Sequence, residues 1–206
     1  MTTPNPNSSE AIGYLVPVST PPDEDIALAV DLQRLVVGLT GLPGQLVRPR
    51  WQPVPPKQPE ANVDWCGIGV LSQASDDNIS LRHDGTANGG LGSSTSFEYQ
   101  TLEVMASFYG PGSGGHANAL RAGLMIAQNR EAMFLSDMAL VGVPDKTARL
   151  PELVNDVWID RIDLTFYVRR KVTRTWLIEN LNGVTITTKS DQPPGNEITQ
   201  TVTVAP

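Results

Sequence analysis

The chain has 206 residues, 40% of them apolar, 18% charged and 6% aromatic, enough for one large domain or two small ones with a real core. Its formal net charge of −7 argues against a protein that grips nucleic-acid phosphates by counterion release. No apolar stretch approaches the roughly 20 residues needed to cross a bilayer, so no membrane partner is expected.

The first 23 residues, MTTPNPNSSEAIGYLVPVSTPPD, hold five prolines and little charge, and read as an extended arm. They carry no basic region leading into an apolar one, so no cleaved secretory signal is expected. Asp23 to Leu39 sets Leu28, Leu32, Leu35, Val36 and Leu39 on one face at helical spacing. Asp23, Glu24 and Asp25 fall in its first turn, where negative charge suits the helix dipole, and Gly41 and Pro43 stop it. Leu46 to Arg50 is a short strand leading into RPRWQPVPPKQPE, a polyproline-like loop.

Val63 to Ser72 is an apolar run of strand length, and Asn78 to His83 is a partner strand with Ile79 and Leu81 pointing one way. The glycine-rich stretch Asp84 to Ser94 separates two strand-like runs as a hairpin tip. Ser96 to Tyr109 alternates, with Leu102, Val104, Ala106 and Phe108 on one face. Gly-Pro-Gly-Ser-Gly-Gly then leads into a second helix, His116 to Arg130, with Ala117, Leu120, Leu124 and Ala127 as its buried stripe and Ser113 as its N-cap. Met133 to Leu135 continue it as a short turn or helix.

Ala139 to Val143 is a further strand, and Val157 to Val168 the best of the chain. In it Trp158, Ile162, Leu164, Phe166 and Val168 share one face, and Arg161, Asp163 and Thr165 the other. After a Pro-Pro-Gly turn the last residues alternate polar and β-branched types. The class expected is α+β: a mostly antiparallel sheet of about four to five strands, covered on one face by two helices, with extended N- and C-terminal arms. The domain reading is an arm over residues 1–23, a central domain over 24–175 and a β-rich extension over 176–206.

The inventory for chemistry is poor, and no catalytic, cofactor-binding or metal site is expected. The single cysteine, Cys66, removes intramolecular disulfides and cysteine-based zinc clusters, and two histidines, His83 and His116, are too few for a histidine-rich metal site. There is no G-x-x-x-x-G-K, H-E-x-x-H or G-x-S-x-G. Gly110, Gly112 and Gly115 satisfy G-x-G-x-x-G, and Glu131 follows at 16 residues, which leaves a nucleotide site as one reading. The preceding strand is amphipathic, unlike a buried parallel strand, so a strand-to-helix connector is preferred. His116 reads as a solvated helix-start residue, His83 as a surface residue and Cys66 as a buried structural thiol. Asp160 and Asp163 differ by three residues along a strand and cannot pair on one face.

Arg169, Arg170, Lys171 and Arg174 follow the best strand and suit either DNA phosphates or the acidic face of a neighbouring subunit; the net charge favours the second. Arg48, Arg50 and Trp51 are interface anchors by residue type, unless Trp51 simply packs on the prolines of its own loop.

The order of elements resembles the neck or tail terminator proteins of tailed bacteriophages. The resemblance rests on Arg48 to Trp51 after the first helix, on the strand ending Phe108-Tyr109-Gly110-Pro111, and on the strand near Trp158 with its basic end; it covers residues 24–175 or so. It implies a structural virion protein, assembled in the host cytoplasm, that forms a homo-hexameric ring at the head-proximal end of the tail. Such a ring ends tube polymerisation, meets the tail tube, the sheath protein and the head connector or head-completion protein, and lets genomic DNA through its lumen without specific binding. In such a ring Asp23, Glu24 and Asp25 of one subunit are expected to face Arg169, Arg170 and Lys171 of the next. Val184 to Thr187 and Ile198 to Val204 are expected to add strands to an adjacent subunit or partner. The competing readings are another phage neck or tube component, a small-ligand or nucleotide-binding domain at Gly110 to Gly115, and a host-cell binding module.

Overall fold

The computed structural model describes residues 14–143, 146–154 and 156–180, and the backbone of 184–189 and 199–204. Two compact units are present, one formed within Met1–Ser19, Leu81–Ser96 and Arg174–Pro206, the other by Thr20–Ser80 and Phe97–Thr173.

The larger unit begins with α1 (Asp25–Thr40), which buries Leu28, Ala29, Leu32 and Val36. Glu24 is its N-cap and Asp23 precedes it, so of the three acidic residues only Asp25 lies in the first turn. Gly41, at φ 72°, closes the helix through its N–H to the Val37 carbonyl. β1 (Val47–Pro49) runs parallel to β2 (Trp65–Ser75), an arrangement that the long proline loop between them makes possible. β2 pairs antiparallel with β4 (Ser93–Tyr109), with an irregularity between Val70 and Ser72. The core stripe of β4 is as expected: Leu102, Val104, Ala106 and Phe108 are all fully buried.

The second helix is two. α2 (Ser113–Met125) and α3 (Ala127–Phe134) are separated by Ile126, whose ψ of 126° is extended. The Asn129 amide donates to the Gly123 carbonyl across this break. Ala127, expected in the buried stripe, is exposed, while Met133 of α3 enters the core. Ser113 is the first helical residue and Gly112 the N-cap.

β5 (Met138–Gly142) and the two-residue β6 (Ala148–Arg149) both pair with β9 (Arg161–Trp176). The long strand expected from Val157 breaks at Asp160, because Val157–Ile159 (β8) turns away to pair with Glu152–Val154 (β7) in a hairpin of its own. Trp158 is therefore not on the core face of β9; it is exposed. Ile162, Leu164, Phe166 and Val168 do form that face. The order β1-β2-β4-β9-β5, with β3 (Ser80–Asp84) on β4 and β6 on β9, makes seven strands among the described residues, where four to five were expected. Short strands such as β6 leave no periodicity to read. The fold is α+β and the sheet mostly antiparallel, with α1 and α2 over one face.

In the smaller unit β3 and the start of β4 bracket the glycine-rich segment, so the hairpin tip lies where expected. Ile79 and Leu81 are both exposed. His83 is no idle surface residue: its ring nitrogens contact Ser94 Oγ at 3.0 Å and Asn180 Oδ1 at 2.7 Å, and the Asn180 amide donates to the Gly85 and Gly90 carbonyls. Residues 14–19 are without helix or strand, and the Val18 N–H donates to the Thr175 carbonyl at 2.8 Å. β10 (Val184–Lys189) and β11 (Thr199–Val204) pair with each other, from Val184↔Val204 to Lys189↔Thr199. These strands thus pair with each other as a hairpin. Ile198 and residues 1–13 lie outside the described residues.

Candidate functional site

The sheet face opposite the helices carries the charged and aromatic side chains that sequence singled out. At one end the chain leaves β1 through Arg50 and Trp51, and Trp51 takes φ 55°, in the left-handed region. Its indole lies against Gly69, where a Cβ would meet the ring at 2.6 Å, so glycine at 69 makes the seat. Two thirds of Trp51 (66%) stays exposed. A groove of about 310 Å³ opens there, lined by Arg48, Arg50, Trp51, Trp65, Tyr109 and Glu152 among others. Trp65 and Tyr109 stack with centroids 4.1 Å apart and planes 5° apart. Arg48 is held by the Gln45 and Lys57 carbonyls and sits 5.9 Å over Trp65.

Behind the aromatics runs a chain of polar contacts. Arg50 donates to the Ser107 hydroxyl, Ser107 to the Asp163 carboxylate, and Arg161 donates both to Asp163 and to Glu152. The Asp163 hydrogen bonds hold the Arg161 guanidinium charged, pushing its pKa up against the opposing effect of burial. Burial raises the Tyr109 phenol pKa, opposed by Arg161, which lies 5.6 Å over its ring. Arg161 and Asp163 were legible as the outer face of one strand, and Ser107 as the outer face of another; Glu152 and the contacts that join these residues were not, because the partners lie on other strands.

The basic end of β9 is divided by the pleat. Arg170 follows Leu164, Phe166 and Val168 on the core face and is 5% exposed. It donates to Gln100 Oε1 at 2.8 Å, to the Asp23 carbonyl and to Glu24 Oε2 at 2.6 Å. The acidic helix start and Arg170, expected to meet across a subunit boundary, therefore meet within one chain; the register that puts Arg170 beside Gln100 points it at the start of α1. Arg169 and Lys171 project from the other face. Arg169 pairs with Asp76 and lies 5.3 Å over Tyr99, and Lys171 lies 4.7 Å over Phe97. Asp25 is exposed, and Arg174 belongs to the smaller unit, where its carbonyl accepts from Ser96 Oγ.

The G-x-G-x-x-G segment is a connector. Gly110 has φ 99°, and its N–H donates to the Asp160 carbonyl. Asp64 Oδ1 accepts the Gly112 N–H at 2.7 Å, so a carboxylate of the chain already occupies the place an anion takes at a helix start. His116 Nε2 lies 3.6 Å from the other Asp64 oxygen. A Cβ on Gly110 would meet Asp64 Oδ1 at 2.5 Å and the Val63 carbonyl at 2.7 Å. Gly110→Ala is expected to cost about 1–3 kcal/mol from backbone strain alone, read as a lower Tm in a thermal melt; an unchanged Tm refutes this account of the turn. Cys66 is fully buried, and burial raises its thiol pKa strongly, which fits a structural role. Asp160 pairs with Arg149 and Asp163 with Arg161, so the two carboxylates are engaged separately. Among the described residues no group of three or more His, Cys, Asp or Glu is placed to hold a metal, and no helix is long and apolar enough to cross a membrane.

The family model described as phage neck terminator protein matches residues 27–192. The chain belongs to that family. The match starts in α1, takes in both faces of the sheet and ends beyond β10, further along than the resemblance in sequence reached. The neck terminator family is one of structural virion proteins. No curated protein matches this neck terminator chain.

Proposed function

We propose that this neck terminator closes into a homo-hexameric ring at the head-proximal end of the phage tail. The ring ends polymerisation of the tail tube and docks the head connector or head-completion protein, with the sheath protein a further neighbour where one exists. Genomic DNA passes through the opening without specific binding, and the ring is assembled in the host cytoplasm before it becomes part of the virion. Membership of the family over residues 27–192 carries this reading. The net charge of −7 supports it, since an acidic channel repels phosphate and lets DNA slide. The exposure of Trp51, Phe134 and Trp158 is compatible with it, since large aromatic side chains of this kind are common anchors at protein contacts.

Light scattering on the purified chain is expected to give six times the 22.2 kDa subunit mass, with six-fold rings and a central hole in negative stain. Long tubes would favour a tube component instead, and a monomer at every concentration tested defeats the ring.

A further inference from the structure

We propose that the β7–β8 hairpin of one copy seats Leu153 and Trp158 in the groove beside Arg169 and Lys171 of the next copy. The inference rests on the ring reading and deepens it by naming the two surfaces that meet.

The hairpin is built to be covered. Leu153 stands opposite Trp158 in the register, so their side chains share one face, while Ile159, from the other face, is buried. The Leu153–Trp158 face is open: Leu153 is 56% exposed and Trp158 67%. A two-stranded hairpin outside the main sheet is marginal unless something packs on it. Exposed tryptophan with an aliphatic neighbour is what a binding hot spot looks like before its partner arrives.

The groove is the complement. Tyr99, Phe134, Met138 and Ala139 give a recess of about 210 Å³ its apolar surface, and Arg169, Arg170 and Lys171 line it together with Asp137, so that its charge is net basic. Phe134 beside it is 66% exposed. The charges match. Between Leu150 and Asp160 the chain carries Glu152, Asp156 and Asp160 and no lysine or arginine; Glu152 and Asp160 are paired with Arg161 and Arg149 of their own chain, and Asp156, exposed in the hairpin turn, is the carboxylate offered to a neighbour. Lys171 at the basic strand end thus has Asp156 of the next copy as its acidic counterpart, since Arg169 is paired with Asp76 and Glu24 with Arg170 of their own chain.

Geometry gives the sense of assembly. The hairpin precedes Arg161 and the groove lies at Arg169 to Lys171, roughly 30 Å further along β9 at about 3.3 Å per residue, so a chain cannot fill its own groove. Two different patches, one at each end of a strand, allow a head-to-tail contact that closes into a ring or runs on as a filament; a two-fold pair in which each hairpin fills the other's groove would show as a dimer and overturn the ring contact.

The test is a charge swap in the full-length protein, read by light scattering and analytical ultracentrifugation at fixed salt. Asp156→Lys and Lys171→Glu singly are expected to weaken assembly about tenfold or more, and the double variant to restore rings, since every contact then carries the swapped pair. Trp158→Ala is expected to abolish rings while leaving the thermal melt of the subunit in place. If the single variants form rings as well as the unaltered chain, or the double variant fails to recover them, the hairpin contact is overturned. If the unaltered chain forms no ring at all, the ring reading itself falls, a result distinguishable from the first two.

Discussion

Arg170→Ala lowers the free energy of unfolding by about 2–4 kcal/mol, a fall of about 1–2 M in the urea midpoint. The guanidinium is buried on the core face and serves Gln100, the Asp23 carbonyl and Glu24 together. Its removal opens a void beside Val168 and Val172 and leaves the buried Gln100 oxygen without that donor. Glu24 is 39% exposed and can rehydrate, which keeps the loss below that of a fully buried pair. Arg170→Met separates the two causes: it keeps most of the volume, removes the charge and is expected to lose about 1–2 kcal/mol. Because Arg170 holds Asp23 and Glu24, hydrogen exchange at Ala27 and Leu28, whose N–H groups donate to the Glu24 carbonyl, is expected to quicken in both variants. Equal stability of the alanine variant and the unaltered protein rejects this assignment and returns Arg170 to the pool of surface contacts.

The Arg170 case also shows where reading a sequence stops. Helical spacing gives α1, and strict alternation gives the buried stripes of β4 and β9, because burial on one face imposes a period whatever the partner is. The break at Asp160 is silent: Trp158 and Ile162 keep the same parity across it, so the alternation runs on while the chain turns away to pair β8 with β7. Ile126 is silent for a similar reason, since the spacing of Leu120 and Leu124 predicts Ala127 in the stripe and nothing local marks the extended ψ. The parallel pairing of β1 with β2 is a tertiary fact with no period of its own. In the candidate site, the residue types Arg48, Arg50 and Trp51 are enough to suspect a surface, but the Arg50–Ser107–Asp163–Arg161–Glu152 chain joins four separate segments and becomes visible only once the sheet is ordered. Charge assignments suffered most. An acidic cluster and a basic cluster attract on paper wherever they are, and only the pleat shows that Arg170 turns inward to Glu24 while Arg169 and Lys171 turn out.

Phe108→Ala is expected to cost about 3–5 kcal/mol. Phe108 is fully buried, stands opposite Cys66 in the β2–β4 register, and has its ring centroid 6.5 Å from that of His116 in α2. It also immediately precedes Tyr109 and the Gly110 turn, so a cavity there loosens the joint by which β4 delivers α2 to the sheet. Urea unfolding with an unchanged m-value and a lowered midpoint is the expected record; a midpoint within error of the unaltered protein means the core is not organised around this strand. Trp158→Ala provides the internal contrast. Tryptophan is the larger side chain, yet the same truncation at 67% exposure is expected to move the subunit's stability by no more than about 0.5 kcal/mol. The asymmetry follows from which surface is already out of water: Phe108 contributes its apolar area when the chain folds, whereas most of the Trp158 area stays in water in the subunit. A single pair of truncations thus divides the protein's apolar surface into the part that makes a subunit and the part that the proposed ring would cover.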